Sequence, residues 1–280
     1  LLILLGGVTI FDSLSCENFT LRCHVIMWTG DIPAISKLMN MTGHNSYIGC
    51  RFCYLKGIYC QHSKHIYYPC SIPRDYSGIP DIQDFDPLNL PKRTPRTFER
   101  DISNIENESR NSIRQSFVKN SGVSGRSILT ELETISFPKS FPLDIMHLFF
   151  ENVAIHMFKH WSGAFYKRIN TSNEPFVLSK NQWKEIGELM ESNRKQMPLE
   201  FGRPLRNIQK HYNGFKAAEW SNWITMFSLP FLNQKLPRLY LEGWSKFVTA
   251  VQLCLKWRIT NNDLTNVQSL LVEFFIHYES

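Results

Sequence analysis

The sequence contains no long uninterrupted apolar segment, no low-complexity tract and no internal repeat. Its apolar opening, residues 1–11, is followed by Glu17 and Arg22 before the roughly twenty apolar residues of a bilayer-spanning helix accumulate. No basic region precedes that opening and no small-residue cleavage site follows it, so it does not match a secretory signal. These features exclude the transmembrane and repeat classes of protein. Because the chain has no initiator Met, we expect it to be a piece of a longer one.

The chain also has few cysteines and only a modest excess of positive charge. Seven cysteines at irregular spacing in 280 residues do not fit a secreted disulfide scaffold, which indicates a reducing compartment. The net charge of +6 mildly favours a polyanionic partner but is far from that of a histone-like protein. A hydrophobic content of 43% is enough for the core of one large domain or two ordinary ones.

The N-terminal part contains a predicted strand followed by a predicted helix. Residues 19–30 are β-branched, aromatic and nearly continuously apolar, as in a buried strand. Residues 31–41 carry apolar side chains at helical spacing, with Pro33 in the first turn. Asp31 is therefore expected at the carboxyl end of a buried strand, where α/β folds commonly build their sites.

The rest of the chain divides into a polar segment and a helical segment. Residues 67–135 are rich in Pro, Asp, Ser, Asn and Arg, which predicts an exposed connector that is partly helical around residues 97–120. Its basic residues are either simply solvated or follow a phosphate backbone, and they include Lys92, Arg93, Arg96 and Arg100. Residues 136–280 show a helical pattern, with one clear helix after a Ser179 cap. Further helices are predicted over residues 217–232, 241–257 and 260–280.

A Cys-x-x-Cys pair, Cys50 and Cys53, lies in a glycine-flanked loop, with His44 before it and Cys60 after it. The two-residue spacing lets both thiolates reach one Zn²⁺ ion. A thioredoxin-type redox pair would instead stand at the start of a helix, whereas here a predicted helix precedes the motif. Two unrelated thiols in a turn are the third interpretation. The spacing alone leaves these three interpretations open.

Two other candidates carry weaker signals. Asp144 and His147 are three residues apart on an amphipathic predicted helix, so both side chains approach the same point. On spacing alone, that pair is more typical of a core-edge His and a helix-start Asp than of metal ligands. Glu219 begins a predicted helix among aromatic residues, a position where glutamates commonly interact with the helix dipole.

Taken in order, these motifs resemble the transposases of CACTA-type (En/Spm-like) DNA transposons. In that family a block of the form G-V-x-T-x-D…F-x-L-R-A…W-T-x-x-D-x-P-A precedes a C-x-x-C and then L-D-x-M-H. The resemblance covers most of residues 6–160 and continues more loosely to the C-terminus. The matching residues are Gly7, Val8, Asp12, Phe19, Leu21, Arg22, Trp28, Thr29, Asp31, Pro33, Ala34, Cys50, Cys53, Leu143, Asp144, Met146 and His147.

The resemblance implies an α/β fold, namely an RNase H-like (DDE transposase) core that is incomplete at the N-terminus. Residues 1–66 and 136–280 would form this core, with a zinc-binding insertion and a mainly helical C-terminal half, and residues 67–135 would be an exposed insertion. Three carboxylates of such a core hold two Mg²⁺ or Mn²⁺ ions for DNA strand cleavage and transfer. By the same resemblance Asp31 is a catalytic acid and Glu219 is the candidate for the third one.

A structural zinc site is also implied by the resemblance. Three of its ligands would be Cys50, Cys53 and His147. The fourth would be one of His44, Cys60 or Asp144. The expected partner is transposon-end DNA and the expected location is the nucleus, with no membrane association and with self-association left open.

One departure from the family pattern limits the expected activity. The family's first catalytic Asp lies upstream of the block with which this chain begins, and Asp12 matches a different family position. We therefore expect a fragment or an inactive copy of a transposase, and whether it is an enzyme stays open. The alternative is a non-catalytic, zinc-stabilised nucleic-acid-binding protein derived from a transposase. A thiol oxidoreductase is a more distant third interpretation.

Overall fold

The computed structural model describes residues 6–61, 64–72, 84–166, 171–202 and 204–279. The chain divides into two compact units, residues 1–144 and residues 145–280. The helical region was predicted to begin at residue 136, before the observed boundary. The difference arises because Phe137 and Phe141 are buried in the core of the first unit.

The first unit contains two small antiparallel sheets among its described residues. Strand β1 (Val8–Asp12) pairs with β2 (Glu17–Leu21), and the Asp12 carboxylate holds the turn between them by accepting from the Leu14 amide at 2.9 Å. Strand β3 (Ile58–Cys60) pairs with β4 (His65–Tyr67). Neither sheet has more than two strands, so within the described residues there is no central sheet of the kind an RNase H-like core requires. That fold stays a prediction.

The strand predicted over residues 19–30 is only partly formed. Pairing with β1 ends at Leu21, and residues 22–30 have no regular structure. The backbone there bonds to a later segment instead: the Trp28 amide donates to the Ser140 carbonyl at 2.8 Å, and the Val25 carbonyl accepts from the Thr134 hydroxyl. Apolar composition predicted extended backbone here, but a strand also needs a partner strand, which the composition does not report.

Three helices pack around the core of the first unit: α1 (Ile32–Leu38), α2 (Pro95–Glu106) and α3 (Asn111–Ser121). Helices α2 and α3 together span nearly the same residues as the helical stretch predicted over residues 97–120. Their segment, residues 67–135, was expected to be an exposed connector, yet it supplies core side chains because three apolar residues of α2 are buried, namely Phe98, Ile102 and Ile105. Residues 73–83 of that segment lie outside the described residues. The buried core consists of Ile35, Met39, Met41, Phe98, Ile102, Ile105, Val123, Leu129, Leu132, Phe137 and Phe141.

The regular secondary structure of the second unit is helical in its described residues. A π-helical stretch, Met146–Val153, leads directly into α4 (Ala154–Trp161), and a second one, Trp223–Phe227, joins the helices Ala217–Asn222 and Ser228–Leu232. The remaining helices are α5 (Lys180–Asn193), α6 (Ile208–His211), α7 (Ala217–Asn222), α8 (Ser228–Leu232), α9 (Arg238–Cys254) and α10 (Asn261–Glu279).

Aromatic side chains dominate the core of this unit. Its five buried tryptophans are Trp161, Trp183, Trp220, Trp223 and Trp244. The predicted Ser179 cap is confirmed, because the Ser179 hydroxyl accepts from the Gln182 amide and the Gln182 side chain accepts from the Ser179 amide. No helix within the described ranges is both long enough and apolar enough to cross a membrane.

Candidate functional site

Asp31, the predicted catalytic acid, stands at the start of α1 and is half-buried. Its Oδ1 accepts from the Ala34 amide at 2.6 Å, which caps the helix. Pro33 fits the first turn because a proline there gives up no intrahelical hydrogen bond. The second carboxylate oxygen accepts no hydrogen bond from the described residues, so it remains available to a cation or to water.

Glu219, the candidate for the third acid, is completely buried in the second unit. Its Oε1 and Oε2 each lie 2.7 Å from the guanidinium of Arg206, as a bidentate ion pair. Oε2 also accepts from the Lys216 amide at 3.0 Å, which caps α7. Both carboxylate oxygens are therefore engaged, and a divalent metal would have to displace Arg206. Glu219 as it stands does not fit a magnesium site, and its catalytic role stays a prediction.

Cys50 and Cys53 are brought together in the first unit. Their side chains hydrogen-bond to each other, and the Phe52 amide donates to the Cys50 sulfur at 3.4 Å. Cys53 is buried, whereas Cys50 is half-buried. A backbone amide directed at the first sulfur of a Cys-x-x-Cys turn stabilises negative charge there. The pair thus offers two converging sulfur ligands, which fits half of a tetrahedral zinc site.

The two thiols differ in acidity. The hydrogen bond from Cys53 lowers the pKa of Cys50 to about 6, and the Phe52 amide and the charge of Arg93 act in the same direction against the effect of burial. The same hydrogen bond, together with burial, raises the pKa of Cys53. Of the two thiols, Cys50 is therefore the one that loses its proton more readily. A zinc ion would favour loss of the second proton as well, because thiolates are its ligands.

Arg93 fixes the loop that carries these thiols. Its Nε donates to the Cys50 carbonyl at 2.9 Å and to the Cys53 carbonyl at 3.2 Å, and its Nη2 donates to the Ser121 carbonyl. The guanidinium also lies over the Tyr54 ring, 4.0 Å from its centroid. Its side chain has no exposed surface. Arg93 was expected among solvated or phosphate-binding residues, and the structure instead gives it a buried anchoring role.

A cavity of about 520 Å³ opens beside the thiols. It lies within the first unit. Its residues combine sulfur, cationic and apolar groups, and they include Cys50, Phe52, Cys53, Lys92, Arg93 and Lys139. The volume is large enough for a small ligand or for side chains that would complete a metal site.

The other predicted zinc ligands are His44, Cys60, Asp144 and His147. Within the described residues, no group of three or more His, Cys, Asp or Glu side chains converges as metal ligands do. His44 is exposed near the loop, and Cys60 lies in β3. Asp144 is the last residue of the first unit, and His147 lies in the π-helical stretch of the second. The four-ligand set stays a prediction, while two of its members are adjacent.

No protein-family model, curated protein or solved structure matches the chain. The assignment to a family therefore rests on the sequence motifs alone.

Two residues that organise these sites carried little signal in the sequence. Arg93 reads as one of several connector cations, and only its partners distinguish it from the exposed Arg96. Arg206 is 13 positions from Glu219, too far apart for a helical pair, and no local motif links them. For Arg93, the one local signal in the sequence is its position immediately before Thr94, the N-cap of α2.

Proposed function

We propose that this chain is part of a transposon-encoded DNA transposase of the CACTA type. The observation that carries the proposal is the order of its motifs: a Trp-Thr-x-Asp block ending at Asp31, then Cys50-x-x-Cys53, then Leu-Asp-x-Met-His ending at His147. Each motif alone is common, but their order together resembles the family, with one residue between Thr29 and Asp31 where the family form has two. The free oxygen of Asp31 and the adjacent thiols support this assignment. Each is only part of the metal site that the family would have.

In this proposal the thiol pair is structural and Asp31 acts on DNA. Cys50 and Cys53 would hold a zinc ion that stabilises their loop, since closed sites of this kind contribute to folding. Asp31 would help to hold the divalent cations that, when bound, activate a water or 3′-hydroxyl and stabilise the leaving oxygen. The chain's own contribution is to orient the Asp31 carboxylate, which the Ala34 amide does through Oδ1.

A non-catalytic DNA-binding protein derived from such a transposase is the second candidate. The buried pairing of Glu219 with Arg206 favours it, because this carboxylate is already committed to an ion pair. The net charge of +6 does not distinguish the two candidates, because positive charge that neutralises DNA phosphates contributes to binding in both cases.

A plasmid-nicking assay tests whether this chain is catalytic by itself. The intact chain is incubated with supercoiled plasmid and Mn²⁺, beside Asp31→Asn and an Asp12→Asn control. A transposase whose catalytic site is complete within this chain predicts nicking that requires the metal, is lost in Asp31→Asn and persists in Asp12→Asn. DNA binding without nicking by any of the three proteins is the result expected of a transposase fragment that lacks the first catalytic Asp and of the non-catalytic candidate alike. Nicking that is unchanged in Asp31→Asn contradicts the catalytic assignment of Asp31.

A further inference from the structure

The turn between α9 and α10 presents a tryptophan to solvent. Residues 255–262 are all exposed, and Trp257 is 105% exposed, so its indole has no protein surface against it. Five of the seven tryptophans of the chain are buried, and Trp28 is half-buried. A wholly exposed indole is unusual because burying it from water is strongly favourable. Such a side chain commonly marks a contact with another molecule.

The turn is held in place from both sides. The Asp263 carboxylate accepts from the Thr260 amide at 2.9 Å, from the Thr260 hydroxyl at 2.8 Å and from the Lys256 ammonium at 2.7 Å. The Asp263 amide returns a hydrogen bond to the Thr260 hydroxyl at 3.1 Å. These bonds close the first turn of α10 as a capping box and tie Lys256 to it. Trp257 therefore projects from an ordered turn, with little conformational entropy to lose on binding.

The charges around Trp257 favour an anionic partner. Arg258 is exposed and forms no ion pair with the described residues. Asn261 and Asn262 add exposed amides beside it. The single carboxylate in this stretch, that of Asp263, is buried and faces Lys256, so it does not oppose an approaching anion. A flat ring thus stands next to a free guanidinium.

We propose that this turn binds single-stranded nucleic acid, with Trp257 stacked on a base and Arg258 on the adjacent phosphate. The combination fits because every base offers a flat π-face at a short distance from a phosphate charge. The inference rests on the proposed DNA function and adds to it a contact with unpaired bases. Such bases are present wherever a DNA end is opened.

Two other partners fit the turn less well. Binding to a bilayer needs several apolar side chains inserted together. Leu255 is only 46% exposed and Ile259 only 44%, so Trp257 is the one fully exposed apolar side chain of the turn. A second copy of the chain would need roughly 800 Å² of surface per partner, far more than one turn provides. A single base stacked on one ring is a complete unit of recognition.

The test uses the intact chain with a fluorescein-labelled oligo(dT) of about 20 nucleotides and a duplex of equal length, since such a strand spans at least one typical site. Trp257→Ala is expected to weaken oligo(dT) binding by about 5- to 100-fold, the range for loss of one stacked base. Trp257→Phe should retain most of the affinity. Leu239→Ala, which removes an exposed apolar side chain from the other end of α9, is the matched control and should change nothing.

Intrinsic fluorescence supplies a second readout, because Trp257 is the most exposed of the tryptophans. Oligo(dT) should quench the emission of the wild-type chain, and this quenching should be lost in Trp257→Phe even though binding persists. Arg258→Gln should reduce the salt dependence of binding by about one phosphate contact.

Each of the following outcomes overturns the inference. Unchanged oligo(dT) affinity in Trp257→Ala, by a chain that binds DNA, refutes the stacking role and spares the proposed function. If Trp257→Ala leaves oligo(dT) binding unchanged but loses binding to phosphatidylserine vesicles, the turn is assigned to a membrane. If the same variant instead loses a dimer that the wild-type chain forms in sedimentation, the turn is assigned to self-association. A chain that binds neither oligo(dT) nor duplex refutes the proposed function as well.

Discussion

Replacement of Arg93 by Met is expected to destabilise the first unit strongly. The substitution keeps an unbranched apolar chain over the Tyr54 ring but removes every donor that reaches the carbonyls of Cys50, Cys53 and Ser121. Those carbonyls lie around a guanidinium that has no exposed surface. They would be left without a charged donor and with little access to water.

The size of the effect follows from these contacts. A buried acceptor that loses its donor costs about 1–3 kcal/mol, so three carbonyls set an upper limit of about 9 kcal/mol. Removing Arg93 also removes the cost of burying its charge, and Asp101 keeps its bonds to Arg100 and Tyr54. The net loss of unfolding free energy is therefore expected to be about 3–5 kcal/mol. Arg93→Lys should lose about half as much, because an ammonium reaches fewer of the three carbonyls.

Urea unfolding measures the global effect, and hydrogen exchange of the peptide containing residues 48–56 measures the local one. Exchange is included because two units that unfold separately would not give a single unfolding free energy. Arg96→Met is the matched control: Arg96 is exposed in the first turn of α2, three residues after Arg93, so its loss should stay within about 0.5 kcal/mol of wild type. A loss below about 1 kcal/mol in Arg93→Met, with unchanged exchange, would refute the anchoring role.

Three further predictions concern the ion pair, the buried histidine and the thiols. Glu219→Gln should lower the thermal stability of the second unit without altering Mn²⁺ affinity; weaker Mn²⁺ binding at unchanged stability would instead make Glu219 a metal ligand. Burial lowers the pKa of His160 to about 4. The unfolded chain therefore takes up this proton first, and the free energy of unfolding should fall by up to about 3 kcal/mol as pH falls from about 6.5 towards 4. A His160→Phe variant should lose this dependence in melting curves across that range, and an unchanged curve would contradict it. Cys50→Ser should abolish bound zinc measured by elemental analysis, whereas Cys254→Ser should not; equal zinc in both variants would exclude the thiol pair.

The helices could be predicted from the sequence because their signals are local. Ser179 and Gln182 form the cap that their spacing indicates, and α10 begins where Thr260 and Asp263 close a capping box. Hydrogen bonds between positions three or four apart, and apolar stripes of the same period, are written in a short window of sequence. The π-helical stretch at Met146–Val153 was predicted only as a helix, because its apolar stripe does not distinguish the two hydrogen-bond patterns.

The parts that could not be predicted depend on distant partners. Residues 22–30 look like a strand, but their backbone bonds run to residues 134 and 140, which no pattern within the segment indicates. Arg93 and Glu219 were each interpreted from their own neighbourhood, while their roles come from side chains and carbonyls 13 to 43 positions away. The adjacency of Cys50 and Cys53 was predictable because the two-residue spacing itself produces it.

The most direct test of the central claim, that this chain acts on DNA, is a salt titration of its binding to a duplex of about 30 base pairs. Fluorescence anisotropy of the labelled duplex would be followed with the intact chain as salt increases. Our account predicts binding at low salt whose logarithm of affinity falls linearly with the logarithm of salt, as phosphate contacts are lost. The same titration with heparin as competitor should abolish the signal. Absence of any binding at low salt, by a chain shown to be folded by circular dichroism, would contradict the account.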